Sequence, residues 1–97
     1  MKKKLRTKLY DMYGSLQACT FSIENESACY LNAIFDHLKK KKKNTISSKV
    51  LSDVEKYCPG FLKYLTETES FNVKMHEDKI VSFTLPEIGE VQVVYKE

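Results

Sequence analysis

The order of hydrophobic periods along this chain predicts an α+β fold, helices first and strands last. From Leu5 to about Leu65, apolar residues recur every three or four positions, as in helices that bury one stripe. From Phe71 to Tyr95 they recur every second position, as in half-buried strands. Length sets the scale: 97 residues make one domain, residues 1–97, with a single small core.

Residues 1–4, "MKKK", read as a disordered basic tail. The first helix is expected from Leu5 to about Ile23, its stripe formed by Leu5, Leu9, Met12, Tyr13, Leu16 and Ile23. Gly14 costs this helix about 1 kcal/mol relative to alanine and marks a close approach or a bend. "ENES" then breaks the pattern, and Ser27 is the expected N-cap of a second helix from Ala28 to about Lys41. Tyr30, Leu31, Ile34, Phe35 and Leu38 give that helix a broad buried face. Its last turn carries lysines, which complement the negative end of the helix dipole.

A third helix follows a cap at Thr45 or Ser47, with Ile46, Val50, Leu51, Val54, Tyr57 and Cys58 as its stripe. Pro59-Gly60 ends it, because proline disfavours a helical residue before it. "FLKYL" reads as one more turn that plugs the core with Phe61, Leu62 and Leu65. "FNVKM" and "KIVSFTL" alternate around the polar turn "HEDK" and read as a hairpin. "EVQVVYK" adds a third strand with Val91, Val93 and Tyr95 on one face. This order predicts a winged helix: a three-helix helix-turn-helix core plus a C-terminal antiparallel hairpin or three-stranded wing.

Several classes of chemistry find no support in the residues. No apolar run approaches the ~20 residues of a membrane span. The basic N-terminus lacks the apolar stretch of a secretory signal, and its low arginine content and Asp11 argue against a mitochondrial presequence. Cys19, Cys29 and Cys58 are odd in number and irregularly spaced, which points to structural thiols in a reducing compartment rather than disulfides. Neither His37 nor His76 stands at metal-ligand spacing from a cysteine, so no metal is expected. Gly14, Gly60 and Gly89 are too scattered to cradle a phosphate, and no nucleophile elbow or paired-histidine helix occurs. A non-catalytic protein is expected, without cofactor or small-molecule substrate.

Charge divides the chain. Residues 1–43 carry a net +6 and the remainder a net −3. The run Lys39, Lys40, Lys41, Lys42 and Lys43, with Lys49 beyond it, is a candidate for contacts to nucleic-acid phosphates. A solvated turn and a nuclear-import address are equally open readings. The expected third helix is poor at reading bases: its outer face has no Arg, Asn or Gln and carries Asp53 and Glu55. Glu77 and Asp78 make the hairpin tip acidic. Tyr10 and Tyr13, on the first helix, are candidates for a protein interface, since half-buried tyrosines suit one.

The stretch from Leu9 to Leu65 resembles the central, geminin-binding winged-helix domain of the eukaryotic DNA replication-licensing factor. Tyr10, Tyr13 and Leu16 are similar to that family's first-helix rhythm. Tyr30, Leu31 and Ile34 are similar to its second helix, and Leu51, Val54 and Pro59 to its third. Phe71 to Pro86 is similar to its extended segment and hairpin. The closing "FLKYLTETESFNVKMHEDKIVSFTL" also resembles LOTUS domains, small winged helices of germline RNA regulation. The first resemblance implies a nuclear protein-binding module without catalytic residues, whose partners are replication or chromatin-associated proteins. The family's second, helicase-binding winged helix has no counterpart here. One domain of a longer chain or a reduced protein is therefore expected.

Overall fold

The computed structural model of the chain describes residues 4–16 and 22–95, save the side chain of Ile23. Helix α1 runs Leu5–Leu16, and the Lys4 carbonyl accepts the Lys8 N–H at its start. Lys4 therefore belongs to the folded domain, whereas residues 1–3 of the expected tail lie outside the described residues. Residues 17–21, expected to continue the first helix, also lie outside them. α1 continues through Gly14, where an added Cβ would meet no described atom within 4 Å. Of the close approach or bend expected at that glycine, no close approach is made among the described residues.

Helix α2 spans Ile23–Lys41 and starts earlier than the expected Ala28. Ser22 is its cap: the hydroxyl oxygen accepts the Asn25 N–H at 3.2 Å, and Glu24 and Glu26 in the first turn complement the dipole. Ser27, the expected cap, is instead fully buried within α2, its hydroxyl 3.6 Å from the Cys58 Sγ. Lys42 ends the helix with a left-handed φ of 54°, and the Lys43 N–H returns to the Leu38 carbonyl at 3.0 Å.

Strand β1, Thr45–Ser47, comes next and was not expected. Helix α3, Ser48–Tyr57, starts at Ser47, whose hydroxyl accepts the Lys49 N–H. Helix α4, Phe61–Glu67, follows after Cys58-Pro59-Gly60 and leads into a single 3-10 turn, Glu69–Phe71. Three strands close the chain: β2 Lys74–His76, β3 Lys79–Leu85 and β4 Gly89–Val94. Phe71 and Val73, expected in the first of these strands, precede it. Asn72, left-handed at φ 47°, interrupts the extended backbone there. Glu77 and Asp78 both have positive φ, the pattern of a type I′ hairpin turn.

The four strands form one mixed sheet in the order β1-β4-β3-β2, with β1 parallel to β4 and the other pairs antiparallel. Ile46 pairs with Val93 and Phe83 with Val91. The core lies between this sheet and the helices. Tyr30, Ile34 and Leu38 of α2 meet Val54, Phe61 and Leu65 of α3 and α4, with Phe83 and Val91 beneath. Each of these eight side chains is at most 1% exposed, and such burial is worth about 1.5–3 kcal/mol for a large apolar side chain. The fold is thus a compact α+β domain of four helices and a four-stranded mixed sheet with a C-terminal hairpin, where three helices and a purely antiparallel wing were expected.

Candidate interaction surfaces

The corner between α3 and α4 is built on Glu55. Its carboxylate accepts the Gly60 N–H at 3.0 Å and the Leu62 N–H at 2.9 Å, both at the start of α4. Those N–H groups would otherwise lack partners at a helix start. Glu55 was expected to face outward as an obstacle to phosphate, but it turns back onto the chain. Gly60, at φ 105°, lets the backbone reverse after Pro59. Asp53, the other acid expected on that face, takes an ion pair from Arg6 of α1.

That ion pair also places the tyrosines. Arg6 meets Asp53 and Tyr10 meets Tyr57, the same four-residue step on each helix, so α1 lies parallel to α3. Tyr57 stands between three rings: Tyr10 edge-on at 6.0 Å, Tyr13 tilted at 5.3 Å and Tyr30 at 6.4 Å. Tyr30 is buried, and that burial pushes its hydroxyl up to about 12. Tyr10 remains 62% exposed, the most exposed large apolar side chain among the described residues. The two candidate tyrosines are thus brought together, with Tyr57 as the hub that periodicity had placed only in a buried stripe.

The structure divides the lysine run. Lys39 donates to the Glu87 carboxylate at 3.1 Å, and its ammonium lies 5.1 Å from the centre of the Phe35 ring. Lys42 and Lys43 border a hollow together with Lys39 and Glu87, and the charges of Lys41, Lys43 and Lys8 act on His37. Partial burial, and then these three cations, hold the imidazole below its ordinary range. Lys40 and Lys42 are exposed, and Lys49 is exposed in the first turn of α3. Lys8 and His37 escaped sequence reasoning, because antiparallel packing of two helices leaves no local spacing to read.

The described surface also has hollows, two of which lie beside the hairpin and beside the Phe35 ring. One, about 440 Å³, lies between α3, α4 and the β2–β3 hairpin, bordered by Leu62, Lys63, Met75, Lys79 and Tyr95. Met75 and Tyr95 are exposed there, and the Tyr95 hydroxyl donates to the Ile80 carbonyl at 2.8 Å. The other, about 200 Å³, is an aromatic slot walled by Phe35, Tyr64, Phe71 and Pro86. Among the described residues no three His, Cys, Asp or Glu side chains converge to hold a metal. Cys29 and Cys58 are free thiols, and Cys19 lies outside the described residues. No helix among the described residues is long and apolar enough to cross a membrane. No family model matches the chain, and comparison with curated proteins and with solved structures finds no match either.

Proposed function

We propose that the chain is a non-catalytic winged-helix module that binds a protein partner in the nucleus, as the central domain of the replication-licensing factor does. The order α2-β1-α3-α4-β3-β4, with β1 beside β4, supports the winged-helix reading. On that reading α3 and α4 form the helix-turn-helix, joined by the three residues Cys58-Pro59-Gly60. The groove-facing helix is then α4, not α3 as the periodicity suggested. α4 presents Lys63, Thr66 and Glu67 outward, with no Arg, Asn or Gln to read bases. The carboxylate of Glu55 already fills its N-terminus, and the hairpin tip is acidic.

The observation that carries the protein-binding reading is Tyr10, a mostly exposed ring seated on Tyr57 beside Tyr13. Aromatic side chains of this kind, rigid and already packed at the base, are the usual anchors of interfaces. Calorimetric titration with purified geminin tests the proposal in its most specific form. Micromolar or tighter binding is expected, weakened about 30-fold by Tyr10→Ala, the 2 kcal/mol of an anchor residue. Absence of binding by the folded wild type rejects the licensing assignment. Binding that Tyr10→Ala leaves intact removes the tyrosines from the interface.

A further inference from the structure

The aromatic face leaves unused the turn at the end of α2, where the lysine run meets the turn between β3 and β4. Lys39, Lys42 and Lys43 border one hollow there, about 390 Å³ in volume, together with Asn44 and the Glu87 carboxylate. Backbone bonds hold its walls in place. The Lys42 and Lys43 N–H groups donate back to the Lys39 and Leu38 carbonyls, and the Gln92 N–H of β4 donates to the Asn44 carbonyl at 2.8 Å. Three ammoniums against one carboxylate leave two positive charges uncompensated.

That one carboxylate is a guide to what the hollow attracts. Glu87 accepts from the Lys39 ammonium at 3.1 Å, although its side chain is 68% exposed and the two residues stand 48 apart in the chain. Among the described residues neither Lys42 nor Lys43 is in an ion pair. Like charges gathered by a fold repel one another, and an anion placed among them relieves that repulsion. We propose that this hollow binds backbone phosphates of a nucleic acid through Lys42 and Lys43, and that Glu87 restrains the binding by occupying Lys39. An ion pair so exposed is weak, so Glu87 lowers the affinity without closing the site.

The chemistry of the hollow selects that ligand. A bilayer-binding patch needs exposed apolar side chains beside its cations. Tyr10, Met75 and Tyr95, the large exposed apolar residues among those described, all lie outside the hollow, and its Leu38 is buried. A protein partner needs an apolar anchor at the same place, and the hollow offers none. Backbone phosphates need only cations. Contacts to phosphate carry no sequence information, so a duplex of any sequence should bind.

The test is fluorescence anisotropy of the full chain with a labelled random duplex of about 20 base pairs, titrated across ionic strength. Each phosphate contact contributes about 0.9 to the slope of log affinity against log salt. Lys42→Gln combined with Lys43→Gln should flatten the slope by about 1.8, roughly 12-fold in affinity across a fourfold rise in salt. Glu87→Gln releases Lys39 for a third contact, so the slope should steepen by about 0.9 and binding should tighten. Glu77→Gln makes the same change of net charge at the other end of β3, about 20 Å away and beyond the screening length. It should leave the slope unchanged. All three variants should keep the wild-type circular dichroism, since these side chains are exposed. A double lysine variant with the wild-type slope overturns the proposal, as does a Glu87→Gln slope no steeper than that of Glu77→Gln. Wild-type binding to phosphatidylserine vesicles but not to the duplex also overturns it, and so does binding to neither. Failure of geminin to bind does not bear on this site, so the two proposals fail separately.

Discussion

Among the described residues the chain leaves α3 and α2 by tight turns, and a side chain joins the backbone in closing only the first of these. After α3 the turn Cys58-Pro59-Gly60 is short, and the carboxylate of Glu55 satisfies the N–H groups at the start of the next helix. After α2 the turn is carried by Lys42 in a left-handed conformation, and the hydrogen bonds that close it are backbone to backbone. The first turn leaves little for a ligand to bind, because its polar groups are already paired. The second leaves its lysine ammoniums at the surface.

Removing the Glu55 carboxylate should produce the largest effect and break the first turn. Glu55→Ala leaves two helix-start N–H groups without their charged acceptor, a loss of about 2 kcal/mol. Urea unfolding followed by circular dichroism should show a lower midpoint with an unchanged slope. An unchanged midpoint would mean that water replaces the carboxylate without cost.

The second turn should respond in the opposite direction. Lys42 holds φ 54°, which costs a residue with a Cβ about 1 kcal/mol and costs glycine almost nothing. Lys42→Gly should therefore stabilise the domain by about 0.5–1 kcal/mol in the same urea experiment.

The smallest effect sharpens the contrast through pH. The imidazole of His37 titrates below its ordinary value near 6.5 in the folded chain, because of partial burial and then Lys41, Lys43 and Lys8. Below that ordinary value the unfolded chain binds more protons than the folded one, so stability rises with pH in that window. The contribution is complete above pH ~6.5 and is lost as pH falls through the folded value. Replacing His37 with glutamine should flatten the fall in stability as pH drops below about 6.5. Replacing Lys8, Lys41 and Lys43 together with glutamine should flatten it in part. A profile that His37→Gln leaves unaltered would show that the lysines do not act on this ring.

Most helical positions in the core could be read from spacing, because a helix that buries one face must repeat its apolar residues at 3.6. Ile34, Leu38, Val54, Phe61 and Leu65 are buried as that period requires. Element starts were harder to read. Ser27 was expected to cap α2, and only its packing against Cys58 shows that it is interior, with Ser22 as the cap. β1 was missed because three residues carry no period, and its parallel partner lies at the other end of the chain. Glu55 was misread because a carboxylate on a helix looks the same whether it faces solvent or folds back over the next turn.

The helix-then-strand order, the buried stripes and the concentration of positive charge in the first 43 residues were determined by the sequence alone. Each is a local pattern or a count, fixed before any long-range contact forms. Only the tertiary structure decided which lysine of the run serves the fold, which tyrosine remains exposed, and where Glu55 turns. Those depend on which residues distant in the chain become neighbours, and hydrophobic period does not encode the directions of polar side chains at a packed surface.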